Sequence, residues 1–303
     1  MVNKPKKQHY VARSYLKGFS KEYLKPMRNQ NNNEFYLWYY DIERNEYRKQ
    51  HIKEVAQQRY FYSWITENGT RNYSLEEHLS EIECAIYPLI CDINTVSTGL
   101  QSRKQKTGQV TISQNERDWL IEYIRIMMVR VPSTINTIRD SLIDELSAFT
   151  QENVNSSSEL IKHDSLMVAF EMGTKDNKFL DILRERELWV FYPADQQTSF
   201  ITTDRPVTRF NKLNPDGIIY DNTEIYIPLT QNCLLMVTGV EKNKNLLRFT
   251  SINDRSLIRR MNRYLASFAT KIVIGRDKTL LISIVKNLQF DKQPKYIEGK
   301  YKF

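Results

Sequence analysis

The chain has 303 residues, 41% of them hydrophobic, enough for one large core, and the expectation is a single large domain over 1–303. No apolar run is long enough to span a bilayer, and no apolar stretch follows the basic start MVNKPKKQHY. A membrane span and a secretory leader are therefore not expected, and a cytoplasmic protein is. The net charge of +8 is uneven: residues 1–28 hold eight Lys or Arg against one Glu, residues 276–303 hold seven against three acidic residues, and the body between them is slightly acidic. Basic ends attract phosphate backbones, making nucleic acid the first partner to consider, although a solvated tail that keeps the chain in solution has the same composition.

Cys84, Cys91 and Cys233 match no zinc or redox spacing and read as reduced, mostly buried thiols, while His9, His51, His78 and His163 are scattered outside any metal-ligand pattern. The expectation is a site with no metal and no cofactor.

In chain order, Val11, Tyr15, Leu16 and Phe19 share one face of a short helix that follows the basic start, with Gly18 weakening its end. After the polar run Asn31–Asn33, residues 35–40 and 47–52 form a hairpin around a turn at 43–46, and 59–64 adds a short strand. Leu75, Leu79, Ile82, Ile86, Leu89, Ile90 and Ile93 recur at helical spacing and predict an amphipathic helix over 74–96. Glu76, Glu77, Glu81 and Glu83 near its start read as a solvated face, and 97–109 reads as a loop.

Ser113 and Glu116 make a capping box for a helix bearing Trp119, Leu120, Tyr123, Ile124, Met127 and Met128. Pro132 removes a backbone donor, so this helix should kink or break near Arg130 before the pattern resumes over 135–149. Its apolar stripe should pack on that of 74–96. Two further helices are expected over 159–172 and 176–187. The last third changes to short β-prone runs at 188–192, 199–202, 225–229, 233–238, 271–274 and 280–285, with one helix over 252–269. The fold class expected is α+β: a helix-rich middle region, about 74–187, packed with a mainly antiparallel sheet from the C-terminal third, about 188–285, and with the hairpin region 35–64.

Candidate chemistry gathers at punctuation points. An unperturbed histidine titrates near 6.5, so His9 could exchange a proton at neutral pH, and Arg13 could clamp a phosphate or carboxylate. Gln8 and Tyr10 beside them, with Thr203, would contact a substrate. Arg130, beside the proline break on an apolar helix, must reach solvent, a carboxylate or a ligand. Asp204 follows a strand and precedes an Arg-Pro turn, where its carboxylate could cap the turn or face a cleft beside Thr203, and it is the candidate partner of Arg130. Convergence of His9, Arg13, Arg130 and Asp204 on one cleft is the functional expectation. The alternative is that all four only hold the fold.

Four stretches resemble one bacterial family, that of domain of unknown function 4238: Gln8-His9-Tyr10 with Arg13, Tyr15, Leu16 and Phe19; Arg130 with Pro132; Phe200 to Val207; and Pro228-Leu229 with Asn262 and Ala266. The family pattern has proline where this chain has Ala12 and asparagine where it has Arg205. The resemblance implies no reaction. The family is similar to families found scattered among bacterial and phage genomes, a distribution that makes a toxin or defence role the expectation.

Two functional classes remain open. One is a metal-independent, endoribonuclease-like enzyme in which His9 moves a proton, Arg13 or Arg130 stabilises phosphoryl charge and the RNA 2′-hydroxyl serves as nucleophile. The other is a non-enzymatic module whose basic ends grip nucleic acid or a protein. Gly-rich phosphate loops, GxSxG and CxxC pairs are absent from the sequence, which argues against nucleotide hydrolases, serine hydrolases and zinc deaminases.

Overall fold

The structure is a computed structural model and describes residues 6–24, 35–150, 158–171, 178–211, 223–240, 245–286, 288 and 290. The Asn31–Asn33 run, residues 1–5 and 25–28 of the basic start, and residues 291–303 of the basic end lie outside the described residues. The fold is α+β.

The chain starts with β1 (Lys7–His9), α1 (Arg13–Lys17) and a short 3-10 helix (Lys21–Leu24), then the hairpin β2 (Tyr36–Asp41) and β3 (Glu46–His51), and a 3-10 turn at Ile52–Glu54. Asn45 takes φ 55 in the hairpin turn, a left-handed geometry that asparagine tolerates better than most residues. β4 (Gln57–Arg59) pairs antiparallel with β1, and β5 (Trp64–Ile65) with β6 (Arg71–Asn72).

Helix α2 (Ser74–Ser102) runs a turn and a half past the expected end. Its polar tail stays helical because the hydroxyls of Ser97, Thr98 and Ser102 donate back to the carbonyls of Ile93, Asn94 and Thr98 at 2.8–3.0 Å, while Leu100 extends the buried stripe. The expected loop also contains a strand, β7 (Thr107–Thr111). The Ser113 capping box forms as read, opening α3 (Gln114–Val129). The chain breaks at Arg130 and Val131, and α4 (Pro132–Thr150) begins on the proline, where a missing N–H costs nothing. Ile82, Ile86, Tyr123 and Ile124 are all buried where α2 meets α3.

After α5 (Glu159–Glu171) and α6 (Lys178–Arg184) come β8 (Glu187–Pro193), β9 (Thr202–Thr203), β10 (Thr208–Asn211), β11 (Thr223–Thr230), β12 (Cys233–Thr238), β13 (Leu246–Ile252), α7 (Arg255–Ser267), β14 (Ile272–Gly275) and α8 (Lys278–Val285). Strands β10 and β13 go beyond the sequence reading. The expected strand at 280–285 is instead α8: the Asp277 carboxylate accepts from the Leu280 amide at 2.8 Å, and Leu281, Ile284 and Val285 share its buried face at helical spacing.

Two main sheets result. The six-stranded order is β10-β11-β12-β8-β13-β7 and the four-stranded order is β3-β2-β14-β9. Every pairing in them is antiparallel except β8 with β13. Alternation along β8 sends Leu188, Val190 and Tyr192 into the core shared with α2 and α3, while Phe191 packs toward α7 and α8 on the other side. This arrangement lays the N-terminal segment across the first turns of α2, beside the end of α3.

Candidate functional site

Arg130 is the anchor. Its side chain is 2% exposed, yet each guanidinium nitrogen has a partner: Nη1 donates to Glu83 Oε1 at 2.7 Å, Nη2 to the His9 carbonyl at 2.6 Å, and Nε to the Tyr62 hydroxyl at 3.4 Å. That hydroxyl returns a hydrogen bond to the Arg130 carbonyl at 2.6 Å. Burial alone would lower the guanidinium pKa, but Tyr62 and Glu83 outweigh it and raise it above the ordinary value. Arg130 therefore stays charged and ties α3 to α2 and β1.

Asp204 is not its partner. The carboxylate, 1% exposed, accepts from the amides of Thr270, Lys271 and Ile272 at 3.0–3.3 Å and from the Thr270 hydroxyl. Those bonds close the turn between α7 and β14 and leave nothing for an arginine. Thr203 sits in the same corner, accepting from the Arg205 amide and donating to its carbonyl. Neither lines the cleft described next, so the expected four-residue convergence is corrected to three. Asp204 and Thr203 are turn formers.

The three that do meet are His9, Arg13 and Arg130. With Lys7, Lys53, Glu54, Glu76, Leu79, Ser80 and Glu83 they line a cleft of about 330 Å³ between the N-terminal segment and α2. His9 Nε2 lies 3.2 Å from the Lys53 carbonyl, which can only accept, so Nε2 carries the proton and Nδ1 the lone pair. Burial, then the nearby Arg13 charge, depresses the His9 pKa to about 4. His9 is therefore neutral at pH 7, not the partly charged shuttle that an unperturbed histidine would be.

Arg13 is exposed and has no hydrogen-bond partner among the described residues, so its fork is available. Gln8 and Tyr10 serve the frame. Gln8, fully buried, accepts from the Tyr62 amide at 2.6 Å. Buried Tyr10 lies edge-on to Phe61, and burial and then the charge of Asp204 raise its pKa.

Sequence reading missed Glu76. Its acidic neighbours Glu77 and Glu81 are exposed, as a solvated face requires. Glu76 and Glu83, however, stand seven residues apart and so share one face of α2, turned toward the cleft. Glu76 Oε2 is buried without a hydrogen-bond partner among the described residues. Burial raises the Glu76 pKa to about 7, with Arg130 opposing and Glu83 reinforcing the shift. A carboxyl poised near neutrality in a cleft beside an available arginine can carry a proton. The seven-residue spacing was the signal that could have found it.

Other motif residues are structural. The Tyr15 hydroxyl donates to the Pro228 carbonyl at 2.5 Å and contacts Thr202 Oγ1 at 2.9 Å. Asn262 donates to the Ser199 carbonyl and accepts from the Ile201 amide. These bonds join α1, β9, β11 and α7, and thereby fix where β1 and α1 lie. The family described as "Protein of unknown function (DUF4238)" matches residues 7–279. The chain belongs to the DUF4238 family. No curated protein matches it, and no solved structure does. The DUF4238 match spans every motif just described, both the frame and the cleft. Among the described residues no group of three His, Cys, Asp or Glu side chains could hold a metal ion, and no helix is long and apolar enough to cross a membrane.

Proposed function

We propose that the cleft is an acid–base site directed at RNA phosphodiesters, and that the protein is an RNase-like toxin or defence effector working in the cytoplasm. The observation that carries this reading is Glu76, whose Oε2 is buried without a hydrogen-bond partner among the described residues in the same cleft as Arg13, and whose pKa burial raises to about 7. Arg13 holds a phosphate through its fork. Glu76, as the carboxylate, takes the proton of the 2′-hydroxyl, whose oxygen bonds to phosphorus as the bond to the 5′-oxygen breaks. Water protonates the leaving 5′-oxygen, and the resulting hydroxide recovers the proton from Glu76. Arg13 offsets the charge that builds on the phosphoryl oxygens. Neutral His9 contributes its ring lone pair as a hydrogen-bond acceptor. Arg130 positions Glu83 and the His9 backbone and needs no contact with substrate.

The test is expression of wild type beside Glu76→Gln and Glu77→Gln, followed by growth and RNA integrity. Wild type and Glu77→Gln should arrest growth and fragment RNA, and Glu76→Gln should do neither. Equal behaviour of wild type and Glu76→Gln overturns the enzymatic reading. A binding module without catalysis is the second reading, favoured by the cations Arg13 and Lys53 on the cleft wall.

A further inference from the structure

A second cavity of about 480 Å³ adjoins the cleft and shares Arg13, Lys53, Ser80 and Glu83 with it. The shared side chains make the two one continuous groove between α1, the 3-10 turn and α2. Its two ends differ in chemistry. The end described above gathers His9, Glu76 and Arg130, whereas the new end is lined by Lys17, His51, Ile52, Tyr87 and Pro88.

We propose that this second cavity is a nucleobase subsite, which makes single-stranded RNA the substrate class of the groove. The proposal rests on the reading of Arg13 as the phosphate clamp. Arg13 and Lys17 stand four residues apart on α1 and thus on one face, about 6 Å along the helix axis, so successive phosphates of an extended strand can follow them. Opposite, on α2, lies Tyr87, half-buried two turns beyond Ser80, with Pro88 beside it. Cations along one wall and an aromatic and apolar surface on the other form the pattern that grips a single strand by its backbone while stacking its bases. The cavity falls within the ~300–1,000 Å³ range of small-ligand pockets, and a base must leave any duplex to enter it. Lys17 adds a local detail: its ammonium sits 5.3 Å from the Phe35 ring centre, which holds the charge at the groove wall.

The experiment is fluorescence anisotropy with a labelled 2′-O-methyl oligoribonucleotide, which lacks the internal nucleophile, as a single strand and as a duplex. Wild type should prefer the single strand by tenfold or more. Tyr87→Ala should lose about tenfold in single-strand affinity, Tyr87→Phe should keep it, and Lys17→Ala should lower the salt slope by about one phosphate contact. Circular dichroism checks that each variant is folded. Should Tyr87→Ala not fold, the Lys17→Ala slope and the single-strand preference decide. Equal affinity for single strand and duplex, or folded Tyr87→Ala and Lys17→Ala variants that bind like wild type, overturns the subsite. The outcome is separate from that of the catalytic reading: a chain that binds single strands through Tyr87 but leaves cleavable RNA intact keeps the subsite and loses the reaction, and a chain that cleaves RNA without using Tyr87 does the reverse.

Discussion

Arg130 and Glu83 form an ion pair at 2.7 Å between the end of α3 and the third turn of α2, and this pair decides which residues share the cleft. By drawing Arg130 onto α2 it commits the arginine to the same helix face as Glu76 and leaves Asp204 to its own turn. Arg130 also holds the His9 carbonyl, so one guanidinium locates three elements.

Replacing Arg130 should therefore be costly. Arg130→Met leaves Glu83 facing Glu76 without its cation, and loss of one partner of a buried pair costs roughly 3–5 kcal/mol. Glu83 itself retains 22% side-chain exposure, which places the expected loss near the lower end. Arg130→Lys should recover little, because a single ammonium cannot reach the carboxylate, the carbonyl and the hydroxyl together. Urea denaturation checks both variants, and a loss below about 1 kcal/mol for Arg130→Met would refute the anchoring role.

Asp204→Asn should reduce stability by roughly 2 kcal/mol, since hydrogen bonds to a charged acceptor are each worth about 1.5–3 kcal/mol and the amide keeps one accepting oxygen. Folded Asp204→Asn protein should act on RNA as wild type does. A folded variant without activity would return Asp204 to the site.

Much of this was legible beforehand. The stripes of α2 and α3, the Ser113 capping box and the break at Pro132 are local patterns whose physics is written in neighbouring residues. Strand β13 and helix α8 were not: Leu246 to Ile252 alternate only once the parallel partner β8 is known, and β-branched Ile282, Ile284 and Val285 hide a helix that Asp277 starts. The site was half legible. His9, Arg13 and Arg130 stand out as polar residues at sharp turns, but the partner of Arg130 is a tertiary choice between two carboxylates. The pKa shifts of Glu76 and His9 come from burial, which no spacing states.

Those two shifts predict opposite pH effects on stability. The folded pKa of His9 lies below its ordinary value of 6.5, at about 4. Its stabilising contribution is thus complete above 6.5 and is lost as pH falls through about 4. The folded pKa of Glu76 lies above its ordinary value of 4.5, at about 7. Its contribution is complete below 4.5 and is lost as pH rises through about 7. Glu76→Gln should therefore stabilise the protein at pH 8 relative to wild type by up to roughly 3 kcal/mol, and the gain should vanish near pH 4. Thermal melts from pH 4 to 8 check this, and a Glu76→Gln gain that does not grow with pH would show that Glu76 ionises normally.

The most direct measurement of the central claim is the pH dependence of RNA cleavage by purified wild type and Glu76→Gln, on a short single-stranded substrate. The rate for wild type should rise with pH through an inflection near 7, where Glu76 becomes the carboxylate, and Glu76→Gln should lose at least a hundredfold and the inflection with it. Cleavage by Glu76→Gln at the wild-type rate with the same inflection, or no cleavage by wild type at any pH, would contradict the account.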